Sequence, residues 1–367
     1  MKHLSYLIKP ASSSCNMRCR YCFYEDVSSL REVPTHGIME RSALAKLIQC
    51  VYQDLDAGDH LALAFQGGEP TLAGLDYFRD LISAIALQEK PVHVSYSIQT
   101  NGILLDDEWA VFLKKHDFLV GLSMDSEPVT HDANRLDLTG AGTSRQVRKA
   151  WQLLRKYEIP TSILTVLTRQ LASDPGRVMD HLIAEEIPAV QFIPCLAPLA
   201  DDRDDPYALT PELFASFYNE LFQRWLGEIR KGHAINIQFF DGVLELLATG
   251  QEILCGLKGR CQVQNVVEAD GSLYPCDFYV LDQYRMGSLL ESPAASLRQS
   301  PGAIAFLTGR PEPAALCEKC PCLSLCHGGC PRMRHSMYLD ETETFCGYRD
   351  FLDQNMPTLR ILARQLV

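Results

Sequence analysis

The sequence predicts an α/β protein built on a parallel sheet, and three observations carry that prediction. Short apolar runs alternate with amphipathic runs six times between Leu4 and Cys195, the pattern of strands joined by crossover helices. Polar, glycine-bearing words directly follow several of those strands. Beyond Gly250 the periodicity stops, and cysteines and turn residues dominate to about residue 350. That stretch is expected to be held by metal rather than by a large apolar core.

The candidate strands are 4–9, 61–66, 93–98, 118–123, 162–167 and 189–194. Each is a short run rich in Val, Ile, Leu, Phe or Tyr, the composition of strands buried on both faces. Between them, apolar residues at helical spacing mark helices over 40–56, 75–89, 107–116, 144–158 and 177–185, with a sixth over 211–231. Right-handed crossovers would wrap these units into a closed or partial barrel. Alternation alone does not separate a six-unit partial barrel from an open doubly wound sheet. Either way, the polar words after the strands gather at the carboxyl edge, where such folds place their active sites. The acidic stretch 200–206 reads as a solvated loop.

Length and composition narrow the function classes. A chain of 367 residues has room for one large domain and a smaller one. Its net charge of −12, from 34 basic and 46 acidic residues, speaks against nucleic acid as the main partner. No apolar run reaches membrane-spanning length, and the N-terminus lacks a signal-peptide pattern. A cytoplasmic protein with no membrane partner is therefore expected. Fourteen cysteines in a reducing compartment point to metal rather than disulfides. Cys50 and Cys195 stand alone in apolar segments and read as packed core residues.

Cys15, Cys19 and Cys22 form a C-x₃-C-x₂-C run directly after the first strand. Three thiolates on one loop can hold three irons of a 4Fe–4S cube and leave the fourth iron without a protein ligand. An open metal position is where chemistry takes place. The competing reading is a partial zinc site or three ordinary thiols. With Tyr21 before the last cysteine, the run resembles the cluster loop of radical S-adenosylmethionine (SAM) enzymes. That family binds SAM at the open iron and cleaves it to a 5′-deoxyadenosyl radical.

The resemblance extends along the expected rim and implies a partial (β/α)₆ barrel. Gln66-Gly67-Gly68-Glu69-Pro70 follows the second strand and resembles the segment that binds the SAM amino group. Two glycines allow close backbone approach, and Glu69 can accept from an ammonium. Gln99 follows the third strand. Ser123 ends the fourth, and Arg135 comes shortly after. Ser123 and Arg135 match positions that hold the SAM carboxylate, for which a guanidinium fork is suited. A surface ion pair for Arg135 and a structural hydrogen bond for Gln99 are the plainer alternatives.

The later cysteines resemble the SPASM extension of peptide-modifying radical SAM enzymes. Eight thiolates would close two further 4Fe–4S cubes. The resemblance assigns Cys255, Cys261, Cys276 and Cys330 to one, and Cys317, Cys320, Cys326 and Cys346 to the other. It leaves Cys322 over. Two zinc ions could also take eight thiolates. The implied division is a barrel over 1–235, the cluster-binding extension over 236–350 and a C-terminal helix over 351–367.

Longer words narrow the family. Ile8-Lys-Pro-Ala-Ser-Ser-Ser-Cys15, Phe65-Gln-Gly-Gly-Glu-Pro-Thr-Leu-Ala-Gly74, Phe118-Leu-Val-Gly-Leu-Ser-Met-Asp125 and Tyr274-Pro-Cys-Asp-Phe-Tyr-Val-Leu-Asp282 together resemble the anaerobic sulfatase-maturating enzymes. Those enzymes oxidise a cysteine or serine in a Cys/Ser-x-Pro-x-Arg context of a sulfatase to Cα-formylglycine. The resemblance implies hydrogen-atom abstraction from the substrate Cβ, electron loss to an auxiliary cluster, and proton loss to Asp277. It implies three 4Fe–4S clusters, SAM, an unfolded sulfatase or sulfatase peptide as substrate, and a flavodoxin- or ferredoxin-type electron donor. Tyr24 and Gln66 lie beside the SAM words, and Tyr24 is a candidate peptide contact. One departure stands out: Met124-Asp-Ser-Glu-Pro128 occupies the place of the family's Met-Asp-Gly-Pro turn. The alternative within the same chemistry is a maturase that cross-links or epimerises a ribosomal peptide. A zinc scaffold and a small-molecule enzyme on the same fold are more distant readings.

Overall fold

The computed structural model describes residues 1–200 and 205–366, so part of the expected acidic loop at 200–206 lies outside the described residues. The chain forms two compact units. The first comprises residues 1–123, 134–161 and 262–309; the second comprises 124–133, 162–261 and 310–367.

In the first unit the strands His3–Ile8, His60–Phe65, His93–Thr100 and Leu119–Ser123 pair in that order, all parallel. Alternate residues of the first two, such as Tyr6, Ile8, Leu61, Leu63 and Phe65, are at most 1 % exposed. The register sets Ile8 opposite Phe65 and Phe65 opposite Ile98. The carboxyl ends of these strands therefore share one edge. Helices Arg41–Gln53, Leu75–Ala86, Asp107–Lys115 and Ser144–Lys156 stand close to their expected bounds. The third strand runs through Gln99 to Thr100, so Gln99 lies inside the strand and not after it.

The sequence did not mark the other neighbour of the first strand. Val266–Val267 pairs parallel to Leu7–Ile8 and continues antiparallel into Ser272–Tyr274 and Gly287–Ser288. Val266, Val267 and Leu273 are fully buried. The stretch expected to be held by metal rather than by a large apolar core thus also adds apolar side chains to the sheet of the first unit. Two- and three-residue strands are too short to show a period.

The second unit holds the parallel strands Thr161–Leu167, Ala189–Pro194 and Asn236–Ile237. Its core is aromatic. Phe214, Phe217, Tyr218, Phe222 and Trp225 recur at helical spacing on Pro211–Arg230 and meet Phe239 and Phe240 of Gln238–Thr249 and Phe351 of Gly347–Ala363. Each such ring contributes about 1.5–3 kcal/mol by leaving water. No helix among the described residues is long and apolar enough to cross a membrane.

Candidate active site

The edge of the first unit carries most of the residues singled out from the sequence. The loop after the first strand turns sharply, with Ser12 at φ 51°, and presents Cys15, Cys19 and Cys22. A short ribbon, Met17–Cys19 against Arg135–Asp137, sets Cys19 opposite Arg135. Arg135 is buried, not a surface residue, and its guanidinium lies 5.6 Å from the Tyr21 ring centre. Burial pushes the Cys15 thiol up to about 12, with the charges of Glu69, Cys19 and Cys22 adding to it and a hydrogen bond from Met17 N opposing it. Burial also raises Cys22, partly offset by hydrogen bonds from Glu25 and Tyr24 N–H and by Arg135.

The Gly67-Gly68-Glu69 segment is clamped to this loop. Gly68 N donates to Ser12 O and Glu69 N to Ser14 O, both at 2.8 Å. A Cβ on Gly68 would fall 2.0 Å from Ser14 O, so only glycine allows this approach. Glu69 is 1 % exposed. Its Oε1 accepts from Thr71 N, Thr71 Oγ1 and Thr100 Oγ1, and its Oε2 from Asn101 N. Burial raises its carboxyl, and these hydrogen bonds work against the rise. The carboxylate thus ties together the first turn of Pro70–Ala73 and the end of the third strand. Asn101 reaches on to Asn16 Oδ1 at 2.8 Å, beside Cys15. Ser123 is buried at the end of its strand, whereas Gln99 is half-buried.

Asp277 opens a single helical turn after Cys276 and is 9 % exposed. Tyr24 Oη donates to its Oδ2 at 2.7 Å and Gln66 Nε2 to the same oxygen at 3.1 Å. The Lys9 ammonium lies 2.9 Å from Oδ1 and 4.3 Å from the Tyr24 ring centre. Oδ1 is buried, and the Lys9 ammonium is the partner it faces. Burial and then the Asp277 charge hold the Tyr24 phenol well above its ordinary value, so it stays a donor.

Lys9, Arg31 and Glu268 were not singled out from the sequence. The only available signal for Lys9 was a cation ending an otherwise buried strand. Arg31 donates to Glu268 at 2.7 Å with both side chains almost fully buried. Burial works to raise the Glu268 carboxyl, but the Lys9 and Arg31 charges and hydrogen bonds from Arg31 and Ser12 together bring it below its ordinary value. Two cations and two carboxylates therefore balance around the site. A lowered folded-state value stabilises the fold above the unfolded carboxyl value, and the gain disappears as pH falls through the folded one. Glu268→Gln is expected to unfold at lower urea at pH 7. It should also show a flatter loss of stability below about pH 4.5 than the unsubstituted chain. Parallel acid profiles would remove this role.

In the second unit Cys317, Cys320, Cys322, Cys326 and Cys346 line one pocket with Leu316, Leu323, Tyr338 and Tyr348. Burial pushes Cys346 up to about 12, and the neighbouring Cys326, Cys317 and Cys320 add to it. Cys330 stands near Cys261, and a Cβ on Gly256 would lie 3.2 Å from its Cβ. The Tyr338 hydroxyl donates to Gly256 O at 2.7 Å. Beside the fourth strand's end, the departing Met124–Pro128 word leads into helix Pro128–Asn134, and Glu127 pairs with Arg177. Asp125 Oδ1 there accepts from Val166 N at 3.1 Å.

All fourteen cysteines are free thiols. No three His, Cys, Asp or Glu side chains among the described residues could hold a single metal ion. A 4Fe–4S cube spreads its thiolates over four irons. Crowded, mutually raising thiols also fit a group that supplies positive charge and removes their protons. These donor sets thus fit iron–sulfur cubes.

Residues 10–182 match the Radical SAM superfamily, and residues 255–321 match SPASM, an iron-sulfur cluster-binding domain. The fold is that of a radical SAM protein with a SPASM extension. A cysteine-type anaerobic sulfatase-maturating enzyme of Clostridium perfringens is 38 % identical over the full length of both chains. One of Clostridium novyi is 35 % identical over 100 % of this chain and 99 % of that one. A serine-type enzyme of Klebsiella aerogenes is 28 % identical over 98 % of this chain and 87 % of that one. A solved structure of native anSMEcpe with bound AdoMet superposes with a TM-score of 0.90 at 38 % identity, over 98 % of this chain and 99 % of that one. The same protein with AdoMet and the Cp18Cys peptide gives 0.90 at 36 % identity over 100 % of both. The chain belongs to the family of anaerobic sulfatase-maturating enzymes.

Proposed function

We propose that this chain oxidises a cysteine in a Cys-x-Pro-x-Arg segment of a sulfatase to Cα-formylglycine, with Asp277 as the base. The observation that carries the role of Asp277 is its placement: a buried carboxylate directly after Cys276 whose Oδ1 faces the Lys9 ammonium. Tyr24 and Gln66 hold the other oxygen, which fixes the carboxylate plane.

Cys15, Cys19 and Cys22 would hold the SAM-binding cube, with Gly67, Gly68, Glu69, Pro70, Gln99, Ser123, Arg135 and Tyr21 around SAM. The other eight assigned cysteines would hold two auxiliary cubes, three clusters in all. When bound, these groups supply a 5′-deoxyadenosyl radical that removes a hydrogen atom from Cβ, and an acceptor for the electron left on that carbon. Asp277 then takes the thiol proton, and water hydrolyses the resulting thioaldehyde, releasing hydrogen sulfide. A flavodoxin- or ferredoxin-type donor in the cytoplasm would provide the reducing electron. Cysteine is the favoured target because identity is higher to cysteine-type than to serine-type relatives.

Mass spectrometry of a Cys-x-Pro-x-Arg peptide and its Ser counterpart, after anaerobic incubation with reconstituted protein, SAM and reductant, tests the reaction. Formylglycine from the Cys peptide in excess is the expected result; deoxyadenosine with neither peptide changed would sink the proposal. Asp277→Asn is expected to keep its iron and its SAM cleavage. Its product formation should fall about 10²–10⁴-fold, the usual contribution of a general base. Undiminished aldehyde from that variant would remove Asp277 as the base.

A further inference from the structure

Five cysteines line the pocket of the second unit, and a four-iron cube takes four. Cys317, Cys320, Cys326 and Cys346 are the four that the family resemblance assigns; Cys322 is the fifth. It is not a stray thiol on the surface. It is 8 % exposed, whereas Cys320 is only half-buried, and both line the same pocket. The backbone explains this. Leu323 N donates to Cys320 O at 3.1 Å and Cys326 N to Cys322 O at 3.1 Å. Cys320, Cys322 and Cys326 therefore sit on consecutive turns leading into helix Leu323–Cys326. A thiol that lines the same pocket two residues from Cys320 is placed to replace it as an iron ligand after side-chain rotation.

We propose that Cys322 is a reserve ligand of this auxiliary cluster, taking over the iron of Cys320 when Cys320 is lost. The inference rests on the reading of the pocket as a cluster site. In the exchange the Cys320 Sγ–Fe bond is replaced by a Cys322 Sγ–Fe bond. Cys322 gives its proton to solvent, and no electron changes hands.

The test uses the full chain, reconstituted anaerobically with iron and sulfide and read by iron content and Mössbauer spectroscopy. Cys322→Ala and Cys320→Ala are each expected to keep the wild-type iron, while the double variant loses about four irons, one cube. If Cys320→Ala alone loses as much as the double variant, Cys322 is no reserve. If Cys322→Ala alone loses a cube, it is a primary ligand and the proposal is equally overturned. A double variant that loses no iron would instead refute the pocket as a cluster site. Should Cys320→Ala fail to fold, Cys320→Ser keeps the question open to measurement. With Cys322 present its cluster should show the all-thiolate spectrum, and with Cys322→Ala added an oxygen-ligated one. An oxygen-ligated spectrum in Cys320→Ser itself would end the proposal.

Discussion

Gly68→Ala is expected to empty the N-terminal cluster site while leaving the rest of the chain folded. The added methyl would sit 2.0 Å from Ser14 O, 2.5 Å from Ser14 C and 2.6 Å from Ser13 C. These are backbone atoms, so no rotamer relieves the overlap. Either the Gly67–Glu69 segment withdraws or the Ser12–Ser14 loop does, and in both cases the paired 2.8 Å hydrogen bonds break. Cys15 follows Ser14 directly, so its thiol moves with the loop. Iron should fall by about four per chain, one cube, and SAM cleavage should become undetectable. Gly227→Ala is the control. Gly227 lies in helix Pro211–Arg230 with nothing within 4 Å of its added methyl, and the change should stabilise the helix by up to about 1 kcal/mol. Full iron and full SAM cleavage in Gly68→Ala would show that the loop tolerates the displacement.

Lys9→Met should be the most destabilising single change at the Asp277 site. The Lys9 and Asp277 side chains are 3 % and 12 % exposed, so water screens the pair weakly. Removing one partner leaves a buried carboxylate without its counter-charge, a loss of about 3–5 kcal/mol where a buried pair is broken this way. Glu268 loses the same neighbour, because the Lys9 charge helps to hold its carboxyl below the ordinary value. Urea unfolding at pH 7 measures the change, and a loss under about 1 kcal/mol would put the pair in the class of exposed ion pairs. Lys9→Met/Asp277→Asn should recover much of the loss, since both charges then leave together.

Much of the fold was legible because parallel strands carry long apolar runs and the helices between them repeat every three to four residues. The strand Ala189–Pro194 stands at its predicted bounds, and the helices differ from theirs by a few residues at the ends. Gln99 was placed one element too late because Gln-Thr reads as polar, although Gln99 still pairs with Gly121. The Val266–Val267 strand was invisible because two residues have no period. At the site, the cysteines, Glu69 and Asp277 announced themselves by motif. Lys9 and Glu268 did not, because a buried ion pair depends on a partner hundreds of residues away and leaves no local pattern. Glu69 shows a related limit: its motif named a ligand-binding carboxylate, whereas its four hydrogen bonds to Thr71, Thr100 and Asn101 come from folding.

The strand His3–Ile8 takes one neighbour from residues 60–65 and the other from residues 266–267. During translation the first neighbour leaves the ribosome early and the second only after most of the chain has been made. Until then the nascent chain carries an open strand edge beside the cysteine loop, and Asp277 has not yet been synthesised. The surroundings of Asp277 therefore close only after residues 266–277 have been made.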